Sequence, residues 1–168
     1  MQIALAALGA LALAGQAQAA GDAYRSCAIS AYVIDQDPKG MNIRAAPSAK
    51  ARVLKVVNGP SAGTTTVRGY QAGWFRVSAI AAAEEESIMF KGDGWVHASL
   101  LHVDVASGDP NLYQGPTRRS QLIKRLAGDQ QGITLVSCSG NWAQVRLNGM
   151  LGWLSPAGQC SNPLTTCS

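Results

Sequence analysis

The residues of this 168-residue chain that could do chemistry are two histidines, four cysteines, a run of glutamates and a set of aromatic side chains. His97 and His102 stand on or just after one short β-prone stretch with Ser99 between them, which raises the thought of a hydrolytic Ser-His pair. Such a nucleophile needs a base and an orienting group in reach. Glu84, Glu85 and Glu86 are consecutive, so they cannot all face one cleft. No glycine-rich phosphate loop precedes a helix. No enzyme and no cofactor are expected. The cysteines, at 27, 138, 160 and 167, lack the two-to-four-residue spacing of a zinc site, so no metal is expected either.

Binding is the more plausible use of the aromatic residues, and a repeat decides where they sit. Asn42-Ile43-Arg44-Ala45-Ala46-Pro47-Ser48 returns as Asn111-Leu112-Tyr113-Gln114-Gly115-Pro116-Thr117, 69 residues on. Trp74 and Val77 return as Trp142 and Val145, 68 residues on, and Gly94-Trp95-Val96 as Gly152-Trp153-Leu154, 58 residues on. Three blocks repeated in one order indicate two tandem modules. The falling offset reflects an insertion within 79–90 of the first copy, which contains Ala81-Ala82-Ala83-Glu84-Glu85-Glu86. It reads as a hairpin-tip loop, with a single helical turn open to it because alanine and glutamate favour helix.

The elements that must carry these residues are short strands. Tyr32–Ile34, Met41–Arg44, Val53–Val57, Thr64–Arg68, Trp74–Val77 and Trp95–His97 are β-prone runs in the first copy, punctuated by Gly, Pro, Asn and Asp. The second copy offers Leu122–Leu126, Ile133–Cys138, Trp142–Leu147 and Gly152–Leu154, with no clear opening strand before Asn111. Short strands, glycine-rich turns and no helical period give an all-β fold of two small barrels. The connection Asp104–Asp109 is short, so the modules are expected to touch.

The three blocks together resemble the bacterial SH3-type (SH3b) domain, over residues 31–160. The resemblance implies a first SH3-like domain at 27–105, a second at 108–160 and a tail at 161–168. In that family the Gly-Trp strand packs its indole on the barrel, so Trp95 and Trp153, with the turn prolines Pro47 and Pro116, take structural roles. Tyr113 stands where the family usually has arginine. It is expected as an exposed ring, and with Tyr70, Trp74, Trp142 and the basic pair Arg118 and Arg119 it makes the candidate ligand-binding set. Bacterial members stand beside peptidoglycan hydrolases and are thought to hold them on the wall. No hydrolase accompanies the modules here, which implies an envelope-binding protein whose partner is a cell-wall polymer. A periplasmic protein partner, met through the insertion and the cleft between modules, is the alternative.

Residues 1–20 read as a secretory leader, with the apolar run Ile3–Ala14 followed by Ala17-Gln18-Ala19. The protein is thus expected to be exported, periplasmic or secreted, with no membrane span after leader removal and no nucleic-acid partner. The net charge of +4 is concentrated late, since residues 106–168 hold five basic and two acidic side chains. Export favours two disulfides. Four cysteines allow three pairings, and the preferred one joins Cys138 to Cys160 inside the second module and Cys27 to Cys167 at the ends of the mature chain.

Overall fold

The computed structural model describes residues 23–59, 61–84, 87–127, 130–162 and 164. The expected leader, Glu85, Glu86 and Cys167 lie outside the described residues. The first half runs β1 (Arg25–Asp35), β2 (Met41–Arg44), β3 (Val53–Val57), β4 (Ser61–Gln71), β5 (Trp74–Ala82) and β6 (Ile88–His97). Then come β7 (Leu101–Val105), β8 (Asn111–Tyr113), β9 (Leu122–Arg125), β10 (Ile133–Ser139), β11 (Trp142–Leu147), β12 (Met150–Leu154) and the two-residue β13 (Gln159–Cys160). The fold is all-β, and no helix among the described residues is long and apolar enough to cross a membrane.

Alternation along β1 puts Cys27, Ile29, Ala31, Val33 and Asp35 on the buried face, as a period of two requires. The repeated motifs have a packing reason. A side chain at Gly94 would meet Ile43 at 2.3 Å, and one at Gly152 would meet Leu112 at 2.4 Å. Each Gly-Trp block therefore lies directly on the apolar residue of its own Asn-(Ile/Leu) block, and both apolar residues are fully buried.

The strands hydrogen-bond along one path, β3-β2-β6-β5-β4-β1-β7-β10-β11-β12-β8-β9, with β13 on β7. Read outward from its centre, the path has the same order in both directions. β10, β11, β12, β8 and β9 answer to β4, β5, β6, β2 and β3. Trp74 and Trp142 open equivalent strands, and Trp95 and Trp153 sit on equivalent strands. β7 pairs with β10 as β1 pairs with β4, so the second copy does have an opening strand. It is Leu101–Val105, hidden from the sequence by its position immediately after the first copy. The presumed connection 104–109 is half built into it, with Asp104, Val105, Ala106 and Asp109 buried.

The described residues at the two ends of the insertion are strand, 79–82 in β5 and 88–90 in β6, with a turn at Ala83 and Glu84. β5 runs on to Ala82 and pairs with β4 (Thr64 with Ala81, Thr65 with Ile80), while β6 pairs on its other side (Ala79 with Lys91, Ile80 with Phe90). Partners on both sides and a fully buried Ile80 outweigh alanine's helix propensity. The second copy turns from β11 to β12 through Asn148-Gly149, both at positive φ, the residues a tight two-residue hairpin favours.

At the centre the halves are joined covalently. Cys27 and Cys138 form a disulfide, with Cα atoms 5.8 Å apart across 111 residues of sequence. This corrects the expected pairing of Cys138 with Cys160 and of Cys27 with Cys167. The reason is the path of β1, whose start lies beside the β10–β11 turn. Ala28 N–H donates to Gly140 O at 2.7 Å and Gly140 N–H to Ser26 O at 3.1 Å, which brings two inward-facing thiols together. Cys160, on β13, is disulfide-bonded as well. One buried apolar cluster contains Ile43, Phe75 and Val77 of the first half and Leu112, Leu135 and Val145 of the second.

A polar knot lies on the same seam. The Tyr32 hydroxyl donates to Asp104 Oδ1, and Gly132 N–H donates to both oxygens, at 2.9 Å and 2.8 Å. Burial, then the Asp104 carboxylate, pushes the Tyr32 phenol well above its ordinary range. The His102 ring stacks on Tyr32 at 5.7 Å, and burial holds its imidazolium form below the ordinary histidine range. The unfolded chain therefore takes up a proton near the usual histidine value of about 6.5 that the folded chain refuses. Stability is full above that pH and falls below it. Urea midpoints taken from about pH 7.5 to about pH 5.5 should fall less steeply for His102→Gln than for the native chain; equal slopes would contradict a ring buried neutral.

Candidate functional site

The duplication sets five positions side by side in each half. In the first they are Gly40, Asn42, Arg44, Trp74 and His97; in the second, Asp109, Asn111, Tyr113, Trp142 and Ser155. Register brings them together. Trp74 pairs with His97, Arg44 pairs with Trp95, and Tyr113 pairs with Trp153. The turns that follow β2 and β8 also match. Ser48 N–H donates to Ala46 O and Thr117 N–H to Gly115 O, both at 2.8 Å across Pro47 and Pro116.

In the second half this place is filled. Asp109, 7% exposed, accepts from Asn111 Nδ2 at 2.7 Å on Oδ1 and from Ser155 Oγ at 2.5 Å on Oδ2. The Tyr113 hydroxyl lies 3.4 Å from Oδ1, and Arg118 Nε lies 3.4 Å from Oδ2. Tyr113 is thus buried, not the exposed ring expected of it. Its hydroxyl finds Asp109, and its ring stands edge-on to Trp142 at 5.6 Å. A phenol with both an apolar neighbour and a buried acceptor gains more inside than in water.

In the first half the same place is a groove of about 260 Å³, lined by Asp35, Asp37, Arg44, Trp74, His97 and Ser99 among others. Gly40, at φ 82, occupies the position of Asp109, and a side chain on it would come within 2.1 Å of Val57 O. No carboxylate can be placed there. Asp35 stands on the groove instead, from the end of β1. It is 5% exposed; Oδ1 accepts from Asp37 N–H at 3.1 Å, and Oδ2 has no hydrogen-bond partner among the described residues. Trp74 meets the His97 ring edge-on at 5.1 Å. Arg44 Nη1 donates to Ala51 O at 2.8 Å, which fixes the guanidinium at the rim.

His97 and Ser99 are hydrogen-bonded, Nδ1 to Oγ at 2.8 Å, but Nδ1 also accepts from Ser99 N–H and so caps the 3-10 turn Ala98–Leu100. Among the described residues no three His, Cys, Asp or Glu side chains are grouped to hold a metal ion.

The six sequence-predicted ligand residues therefore separate. Trp74 lines the first groove, while Tyr113, Trp142 and Arg118 belong to the closed second site. Tyr70 packs on Phe75 at 5.1 Å, and its hydroxyl accepts from Gly73 N–H, so it secures the β4–β5 turn. Arg119 is exposed, and its N–H donates to Thr117 Oγ1 within the Pro116 turn. Of the tryptophans given structural roles, Trp153 is buried, and Trp95 is half-buried with Tyr24 edge-on at 6.3 Å. Sequence reasoning passed over Asp35, Asp109 and Ser155. Aligning the two copies position by position would have exposed the last two, and parity along β1 the first.

No protein-family model and no curated protein matches the chain. Among solved structures it is similar to NlpC2 and NlpC1 from Trichomonas vaginalis, each 14% identical, with TM-scores of 0.33 and 0.32. The matches cover 77% and 90% of this chain and 47% and 50% of theirs, so the chain spans about half the length of those proteins. A likeness this slight assigns no activity to the chain.

If Asp109 holds the second site closed, Asp109→Ala should lower unfolding stability by about 2–3 kcal/mol, because Ser155, Asn111 and Arg118 lose one shared acceptor. Arg119→Ala should stay within about 0.5 kcal/mol of the native chain. Urea titration of the two variants checks this, and equal small effects would contradict it.

Proposed function

We propose that the chain is an exported, non-catalytic binding protein built on two SH3-like modules, and that it recognises peptidoglycan or another cell-envelope polymer through the first. The observation carrying this reading is the contrast between the two equivalent places. One is satisfied by its own side chains, whereas the other is an open groove with an aromatic wall and a buried carboxylate. A few convergent polar groups beside an aromatic surface are what small-ligand and extended-chain sites use. Support for the SH3-type class comes from the repeated blocks and from the matching strand order of the two halves. Export is supported by the leader pattern and by a disulfide that suits an oxidising compartment.

Sedimentation with purified sacculi tests the reading. The mature chain should be retained, Trp74→Ala should reduce retention several-fold, and Trp142→Ala should reduce it only as far as it loosens the second half. Capture from whole lysate with no retention on bare sacculi would replace the polymer with a periplasmic protein partner.

A further inference from the structure

We infer that the first-half groove is a receptor for a primary ammonium group, with Asp35 as its acceptor. The inference rests on the binding reading above and names the chemistry that the groove selects.

Asp35 is the starting point. A buried carboxylate oxygen without a donor is costly, and native structures rarely keep one. Asp35 Oδ2 is such an oxygen, and its residue lines a groove open to solvent. Its sibling Oδ1 is taken by Asp37 N–H. The site therefore offers one oxygen, not two. That geometry disfavours guanidinium, whose planar fork pairs best with both oxygens of a carboxylate. It suits an ammonium, a compact charge whose three donors need not share a plane. Trp74 on the wall adds cation–π attraction, and the Asp37 carboxylate adds a second negative charge to the lining. A hard divalent cation takes six or more oxygens, several of them carboxylate, and among the described residues no three His, Cys, Asp or Glu side chains are grouped to hold a metal ion. Arg44, held at the rim through Ala51 O, bars a second cation and accommodates a carboxylate carried by the same ligand. In the second half the corresponding acceptor, Asp109, already has Asn111, Ser155 and Arg118 as donors, so that half offers no such receptor.

The amine could come from the peptide of a wall polymer or from a lysine of a protein. Nα-acetyl-lysine presents the shared group, and Nα,Nε-diacetyl-lysine is the neutral control. In ¹H–¹⁵N spectra of the oxidised mature protein, Nα-acetyl-lysine should shift the Trp74 indole and the amides of Asp35, Asp37 and His97 saturably. The neutral probe should bind at least tenfold more weakly. Asp35→Asn should weaken the charged probe at least tenfold, and Arg119→Gln should bind it as the native chain does. Should Asp35→Asn fail to fold, Trp74→Leu together with the neutral probe serves instead: loss of the charged probe's preference supports the assignment. Equal binding of the two probes, shifts away from the groove, or no shift would overturn it, even if sacculi still retain the protein. Probe binding without retention on sacculi keeps the ammonium receptor and removes the polymer as its source. Retention abolished by acetylating the sacculus amines identifies the polymer as that source.

Discussion

The structure depends on how β1 meets β7. Only two ladder pairs join them, Tyr32 with His102 and Val33 with Leu101. The strands of the first half hang from β1 through β4, and those of the second hang from β7 through β10, apart from β13 on β7 itself. So narrow a ladder would be a weak hinge by itself. It is reinforced on one side by the Cys27–Cys138 disulfide and the Gly140 bridge, and at the ladder itself by the Tyr32–Asp104–Gly132 knot. Chain-entropy reasoning puts the constraint from a loop of that length at about 4–5 kcal/mol, a large share of any domain's stability. The polar knot adds direction, since its buried donors and acceptors are satisfied in one register alone.

With that seam fixed, the two copies are free to differ where they do not bear on each other. The Gly-Trp blocks and the apolar residues beneath them are held by packing and look alike in both halves. The polar residues around Trp74 and Trp142 are held by nothing so strict, and there the copies diverge. The second half turned its place into structure, through a carboxylate saturated by its neighbours. In the first half, Gly40 forbids that solution, and the carboxylate comes from another strand with one oxygen left over. A groove with an unpaired acceptor is a poor stabiliser, and this is the physical basis for the proposal that the first half binds a ligand.

The fold was largely legible because short strands with alternating burial and glycine-rich turns leave a clear pattern, and the repeat doubled it. β2, β3 and β11 fall at the expected residues. What escaped was long-range. β7 was missed because Leu101–Val105 follows the 3-10 turn directly and carries His102 and Asp104 in phase with its solvent side, although both are drawn into the seam. The disulfide partners escape the sequence because Cys138 and Cys160 share the second module, whereas β1 reaches across to the other copy. Tyr113 is expected exposed because it stands where the family has arginine, but Asp109, four residues upstream, supplies a buried acceptor that draws the hydroxyl inside. The expected strand Tyr32–Ile34 stops short of Asp35, although the parity of β1 places Asp35 inside with Ile29, Ala31 and Val33.

The claim that the seam makes one cooperative unit of two copies is most directly tested by native-state hydrogen exchange in increasing urea. Amides of Phe75 and Val77 on β5 report the first half, and those of Ala143 and Val145 on β11 report the second; all four side chains are fully buried. In the oxidised protein the two sets should converge on one opening free energy and one denaturant slope, that of global unfolding. Exchange of the β11 amides through a separate, cheaper opening while β5 stays protected, with Cys27–Cys138 intact, would contradict the account.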